Sequence, residues 1–140
     1  MLLLALAAAV QAPAVPPLPD QRGVQTILFM DIHRTIAGNH SETGISRTWT
    51  QGYDVRIADL ECTQAGASAN CRFRLIRTPD GTPRDIHAGN TQPSISCRAE
   101  LRYARGPDNA PEAWRVRTWL GRGGTAPRSN MRCVRDRGGD

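Results

Sequence analysis

Residues 94–104 read Ser94-Ile95-Ser96-Cys97-Arg98-Ala99-Glu100-Leu101-Arg102-Tyr103-Ala104, and their alternation decides the fold class. Ile95, Cys97, Ala99, Leu101 and Tyr103 fall on one parity, while Arg98, Glu100 and Arg102 fall on the other. A β-strand sends successive side chains to opposite faces, so this segment offers one face to a core and one to water. The same period of two recurs on both sides. Asn70–Arg77 sets Cys71, Phe73 and Leu75 against Arg72 and Arg74, and Glu112–Leu120 sets Trp114, Val116 and Leu120 against Arg115, Arg117 and Trp119. Tyr53–Cys62 supplies a fourth strand whose apolar residues change phase, from Val55 and Ile57 to Leu60 and Cys62. A β-bulge near Ala58-Asp59 restores a single apolar face, because one extra residue shifts the alternation by one. Gly66-Ala67-Ser68 and Arg105-Gly106-Pro107-Asp108-Asn109 carry turn residues and close two hairpins.

Upstream of the strands, Asp20 stands where an N-cap would and Gly38 where a C-cap glycine would, with His33 and Arg34 in the last turn. Val24, Ile27, Leu28, Ile32 and Ile36 recur at helical spacing between them. A period of two through Leu28, Met30, Ile32 and Ile36 competes, and the caps favour the helix for 24–37. Such a helix on the apolar face of the strands makes an α+β domain in two layers: one N-terminal helix on a four-stranded antiparallel sheet of two hairpins. Val15-Pro16-Pro17-Leu18-Pro19 excludes regular helix and reads as an extended lead-in. Residues 38–51 read as a polar connection. Residues 121–140, rich in glycine and arginine, read as a loose tail tied at Cys133, with 136–140 disordered. A single domain over 20–135 is expected, since the length permits only one core.

Residues 1–14, Met-Leu-Leu-Leu-Ala-Leu-Ala-Ala-Ala-Val-Gln-Ala-Pro-Ala, form a short apolar run ending in small residues, the pattern of a signal peptide. The run is too short to remain as a spanning helix. No basic residue precedes it, which departs from the usual pattern. Cleavage after Ala14 is favoured over Ala12, because proline follows Ala12. No lipid-accepting cysteine follows, so no stable membrane anchor is expected. The localisation implied is periplasmic or secreted. In such a compartment the four cysteines, Cys62, Cys71, Cys97 and Cys133, read as two disulfides. Three pairings exist, and the nearest-neighbour scheme, Cys62–Cys71 with Cys97–Cys133, is favoured. On the loop-entropy relation these rings contribute roughly 2.7 and 3.8 kcal/mol. With only 5% aromatic residues the core is modest, so covalent reinforcement matters.

The net charge is +5, and all 18 basic residues are arginine. A total absence of lysine points to codon usage in a GC-rich genome, which weakens the case for selected positive charge. One arrangement nonetheless goes beyond bulk charge. Arg72, Arg74, Arg98, Arg102, Arg115 and Arg117, with Trp119, share the parity opposite the core. If their strands are adjacent, six guanidinium groups leave one pleated face, each a planar fork matched to carboxylate or phosphate. The plain alternative is a solvated face on which Glu100 bridges its neighbours for about 0–1 kcal/mol. Trp119 at the edge is placed to stack on a sugar or a base.

Other chemistry finds little footing. Asp31-Ile32-His33 and Asp85-Ile86-His87 are short pairs, His40 adds a third imidazole, and no fourth metal ligand is implied. The cysteines lack the Cys-x-x-Cys spacing of a zinc site. No serine lies in a Gly-x-Ser-x-Gly elbow, and no carboxylate pair stands in an apolar setting. Gly121-Arg122-Gly123-Gly124 follows a strand with no helix after it, unlike a phosphate-binding loop. Neither catalytic nor metal residues nor a cofactor are assigned, and export argues against nucleic acid as partner.

The order of Cys62, Cys71, Cys97 and Cys133, a short ring followed by a long one, loosely resembles the subtilisin-inhibitor type of small exported protein. That resemblance rests on the cysteines alone, and it implies an α+β scaffold with a reactive loop just after the third cysteine. Cys97-Arg98-Ala99-Glu100 continues a strand instead. The expected function is therefore non-enzymatic binding of an anionic envelope polymer or an acidic protein through the arginine face. A disulfide-braced protease inhibitor acting through Thr63–Asn70 or Arg105–Pro111 is the alternative, and an accessory domain without activity is the second.

Overall fold

The computed structural model describes residues 14–38, 43–45, 47–81, 94–106, 109–120 and 127–135. Most of the leader, Asn39-His40-Ser41, the pair Asp85 and His87, Gly121–Gly124 and residues 136–140 lie outside the described residues. The order is α1 (Gln21–Ala37), α2 (Arg47–Thr50), β1 (Tyr53–Ala65), β2 (Ser68–Pro79), β3 (Ser94–Arg105), β4 (Glu112–Val116), β5 (Thr118–Leu120), β6 (Pro127–Ser129) and β7 (Arg132–Arg135). The chain is α+β, with two disulfides.

Helix α1 begins where the Asp20 carboxylate accepts from the Gly23 amide at 2.8 Å, an N-cap that satisfies one free donor of the first turn. It closes at Gly38, whose amide donates to Arg34 O at 2.9 Å. Val24, Leu28 and Ile32 are buried while Met30 is 71% exposed. A strand would have put Met30 on the side of Leu28 and Ile32, so the helical period wins.

The strands pair in the order β1-β2-β3-β4, all antiparallel, and β7 joins the same edge of β3 as β4. The sheet thus has five strands rather than four. Strand β4 takes Leu101–Arg105 of β3, and β7 takes Ile95–Arg98. Two residues span the junction between them. The Arg117 amide donates to Glu100 O at 2.8 Å, and Asn130 Oδ1 accepts from the Glu100 amide at 2.9 Å. The bulge in β1 falls between Ala58 and Glu61, and Asp59 there takes a positive φ of 53°. Past it Cys62 reaches Cys71, and the apolar parity is restored.

Three expectations need correction. Glu112–Leu120 is not one strand: it breaks at Arg117, and β5 leaves the sheet to pair with β6 as a separate two-stranded arm. Residues 127–135 of the expected loose tail are ordered as β6 and β7, because Cys133 is held opposite Cys97 and extends the ladder to Arg135. The connection over 38–51 contains α2 and carries Ile45 and Trp49 into the core, Trp49 at 1% exposure. Gly44 lets this segment cross β7: its φ is +82°, and a Cβ there would lie 2.0 Å from Cys133 O.

One buried cluster joins α1, the 45–49 segment and the strands. It includes Leu28, Ile32, Trp49, Phe73, Leu75, Leu101, Trp114 and Met131, together with Cys71, Cys97 and Cys133. Arg77 is buried beside it. Its guanidinium lies 5.1 Å from the Trp49 ring and 4.2 Å from the Tyr53 ring, and Nη1 donates to Trp49 O at 2.7 Å. These contacts tie α2 to the sheet. The lead-in is also held: Gln64 accepts from the Leu18 amide and donates to Pro16 O. Among the described residues no helix is long and apolar enough to cross a membrane.

Candidate anion site

The register turns the alternation of single strands into rows across the sheet. Cys62 stands opposite Cys71, and Cys97 opposite Cys133, so each disulfide is a rung between directly paired residues. In the next rungs, Glu61 faces Arg72, Arg72 faces Arg98, and Arg98 faces Arg132. The row Glu61–Arg72–Arg98–Arg132 therefore consists of the chain neighbours of the four cysteines. The cysteines turn toward the core, and their neighbours take the opposite face.

Directly opposed like charges weaken a sheet, and here three arginines stand in consecutive strands. Among the described residues, the side chains of Arg72 and Arg98 have no hydrogen-bond or ion-pair partner. Arg132 is held in place: Nη1 donates to Ser129 O at 2.9 Å and to Met131 O at 2.7 Å, and its guanidinium lies 5.0 Å from the Trp119 ring. The row lines an open groove of about 600 Å³, to which Thr63, Asn70, Glu100 and Asn130 add hydroxyl, amide and carboxylate groups.

The remaining arginines of the face each have a partner. Glu100 accepts from Arg102 Nε at 2.7 Å and from Arg117 Nη1 at 2.9 Å. The hydrogen bond from Arg117 lowers the Glu100 carboxyl below its ordinary range. Partial burial works against that, and the bond and charge of Arg102 add to the lowering. Arg74 donates to Ser94 Oγ at 2.7 Å and lies 3.5 Å from Asp59. Arg115 donates to Pro111 O. The bridging by Glu100 is realised, and it leaves Arg72 and Arg98 as the guanidiniums of the face without a partner among the described residues, with Arg132 beside them.

Sequence reasoning missed Arg132, Asn70 and Asn130. For Arg132 the signal was present: once Cys97–Cys133 is read as a rung of an antiparallel ladder, residue 132 must face residue 98. Trp119 is on β5, which is not a strand of the five-stranded sheet. One face of its ring meets Arg132, and the residue is 39% exposed. Of the histidine motifs, Asp31 is buried and bonded to Ser129 and Arg34, while His33 is exposed beside Phe29. The candidate inhibitory loop Thr63–Asn70 is paired up to Ala65 and Ser68, leaving a tight turn at Gly66-Ala67. Cys97–Glu100 lies within β3, away from any loop.

No family model, characterised protein or solved structure matches the chain.

Proposed function

We propose that this chain is an exported, non-enzymatic binding protein whose outer sheet face engages anionic groups of an envelope component. The observation that carries the reading is the row Arg72–Arg98–Arg132 in an open groove, with Arg72 and Arg98 unpartnered among the described residues. A bound carboxylate or phosphate offsets the repulsion along the row, and guanidinium forks suit both. Export is supported by the leader-like start and by two disulfides, which oxidising compartments preserve.

The test is a calorimetric titration of the oxidised full chain with pyrophosphate and with digalacturonate, two sources of the same anionic chemistry. Binding should weaken on going from low to physiological salt, where screening falls to about 8 Å. Arg98→Glu should abolish it while far-UV circular dichroism and the absence of free thiols are retained. If wild-type protein binds neither probe, or Arg98→Glu binds as well as wild type, the reading is wrong. Export itself is read by intact mass: a chain starting near Val15 with no free thiol supports it, and an unprocessed chain with four thiols overturns it.

A further inference from the structure

A second basic groove, of about 370 Å³, lies further along β3 and is lined by Arg102, Arg105, Arg115 and Arg117, with Tyr103 and Thr118. Arg102, Arg115 and Arg117 share the outer parity of Arg72 and Arg98, and Arg102 faces Arg115 across the ladder. Along β3 the two arginine rows, at residues 98 and 102, are four residues apart, or about 13 Å. Glu100 sits between them with both carboxylate oxygens engaged by Arg102 and Arg117. Arg102 keeps both Nη groups and Arg117 its Nη2 beyond the bonds to Glu100, so the face carries a second arginine patch along β3 from the first, with the Glu100 carboxylate between them.

We infer that the partner is a linear acidic polysaccharide lying across both grooves. The inference rests on the anion-binding reading of the first groove and specifies its ligand. Two patches in line favour a repeating polyanion over a single small anion, because the second contact becomes intramolecular once the first is made. The chemistry of the first groove favours a sugar chain over a protein. Protein interfaces centre on buried apolar or aromatic anchors, whereas Thr63, Asn70, Asn130 and the arginines supply hydroxyl, amide and guanidinium groups suited to hydroxyl-rich ligands. Trp119, an exposed aromatic ring beside the row, lies over the Arg132 guanidinium at 5.0 Å and stiffens it as a receptor.

The test titrates the oxidised full chain with digalacturonate and hexagalacturonate, alongside polyglutamate and single-stranded oligothymidylate of matched charge. Hexagalacturonate should bind at least tenfold tighter than digalacturonate and at least tenfold tighter than the other two polyanions. Arg115→Gln should reduce the hexamer-to-dimer affinity ratio at least fivefold, and Arg117→Gln should do the same should the first variant fold poorly. Equal affinity for dimer and hexamer, an unchanged ratio in the folded variants, or equal binding of polyglutamate or oligothymidylate overturns the inference. Those results leave the single-groove reading standing if digalacturonate still binds. Absence of binding by every probe removes both.

Discussion

Arg98 stands directly opposite Arg132 across the β3–β7 ladder, in the rung beside the Cys97–Cys133 disulfide. Two like charges are thus held in register by a covalent bond one residue away. Replacing Cys97 and Cys133 by alanine should cost roughly 3.8 kcal/mol, against roughly 2.7 for Cys62 and Cys71, on loop entropy alone. The two double variants should also differ in binding. Without Cys97–Cys133, β7 is free to carry Arg132 away from Arg98, so anion affinity should fall more than in the Cys62/Cys71 variant. Denaturant unfolding and calorimetry on both variants check the two parts separately, and equal loss of affinity would contradict the second.

Ser129 Oγ donates to Asp31 Oδ2 at 2.5 Å, joining α1 to β6, and also accepts from the Met131 amide at 3.0 Å. Asp31 is 6% exposed and is paired on its other oxygen with Arg34. Ser129→Ala leaves one carboxylate oxygen and one buried amide without their partner, a loss of about 1–3 kcal/mol. Urea unfolding should show it as a lower midpoint at unchanged slope. A variant as stable as wild type would mean that water replaces the hydroxyl.

Glu100 gives a signed pH dependence. Its folded-state carboxyl titrates below its ordinary range, chiefly through Arg117. A depressed acid contributes stability above its unfolded pKa and loses it as pH falls through the folded one. Glu100→Gln should therefore be less stable than wild type at neutral pH, by under about 1 kcal/mol because both arginines are partly exposed. The difference should vanish in acid, and thermal unfolding from neutral pH down through the carboxylate range reads it. The same variant releases the Arg102 and Arg117 guanidiniums from their carboxylate, so affinity for polyanions should rise.

Gly44 meets two constraints at once, a positive φ and the close approach of Cys133 O. Alanine there is strained by its backbone and must also displace the carbonyl of a disulfide-bonded residue. Gly44→Ala should cost more than about 2 kcal/mol. It should also raise the free thiol content of freshly oxidised protein, since the clash falls on Cys133. Unfolding midpoint and thiol titration are the checks, and full oxidation with wild-type stability would show that the 43–45 crossing can move aside.

Much of the architecture was legible because local rules and the tertiary structure agree. The bulge followed from the phase change between Ile57 and Leu60, and the helix over 24–37 from its caps. The disulfide pairing followed from order along the chain. Errors fell where non-local contacts overrule composition. Glycine and arginine around residues 121–135 suggest a loose tail, yet a single bond at Cys133 recruits Arg132–Arg135 into the sheet. The polar look of residues 38–51 concealed Ile45 and Trp49, whose burial depends on Arg77 and β7 being close by.

The sequence by itself determined the parity of each strand, and so which arginines avoid the core, because side chains alternate along any extended backbone. It could not determine which of them would be neighbours. Only the tertiary structure decided that Arg72, Arg98 and Arg132 form one row while Arg102 and Arg117 converge on Glu100. Register is fixed by pairing between distant segments and by the two disulfides, and the distance between charges on different strands exists only once that pairing is made.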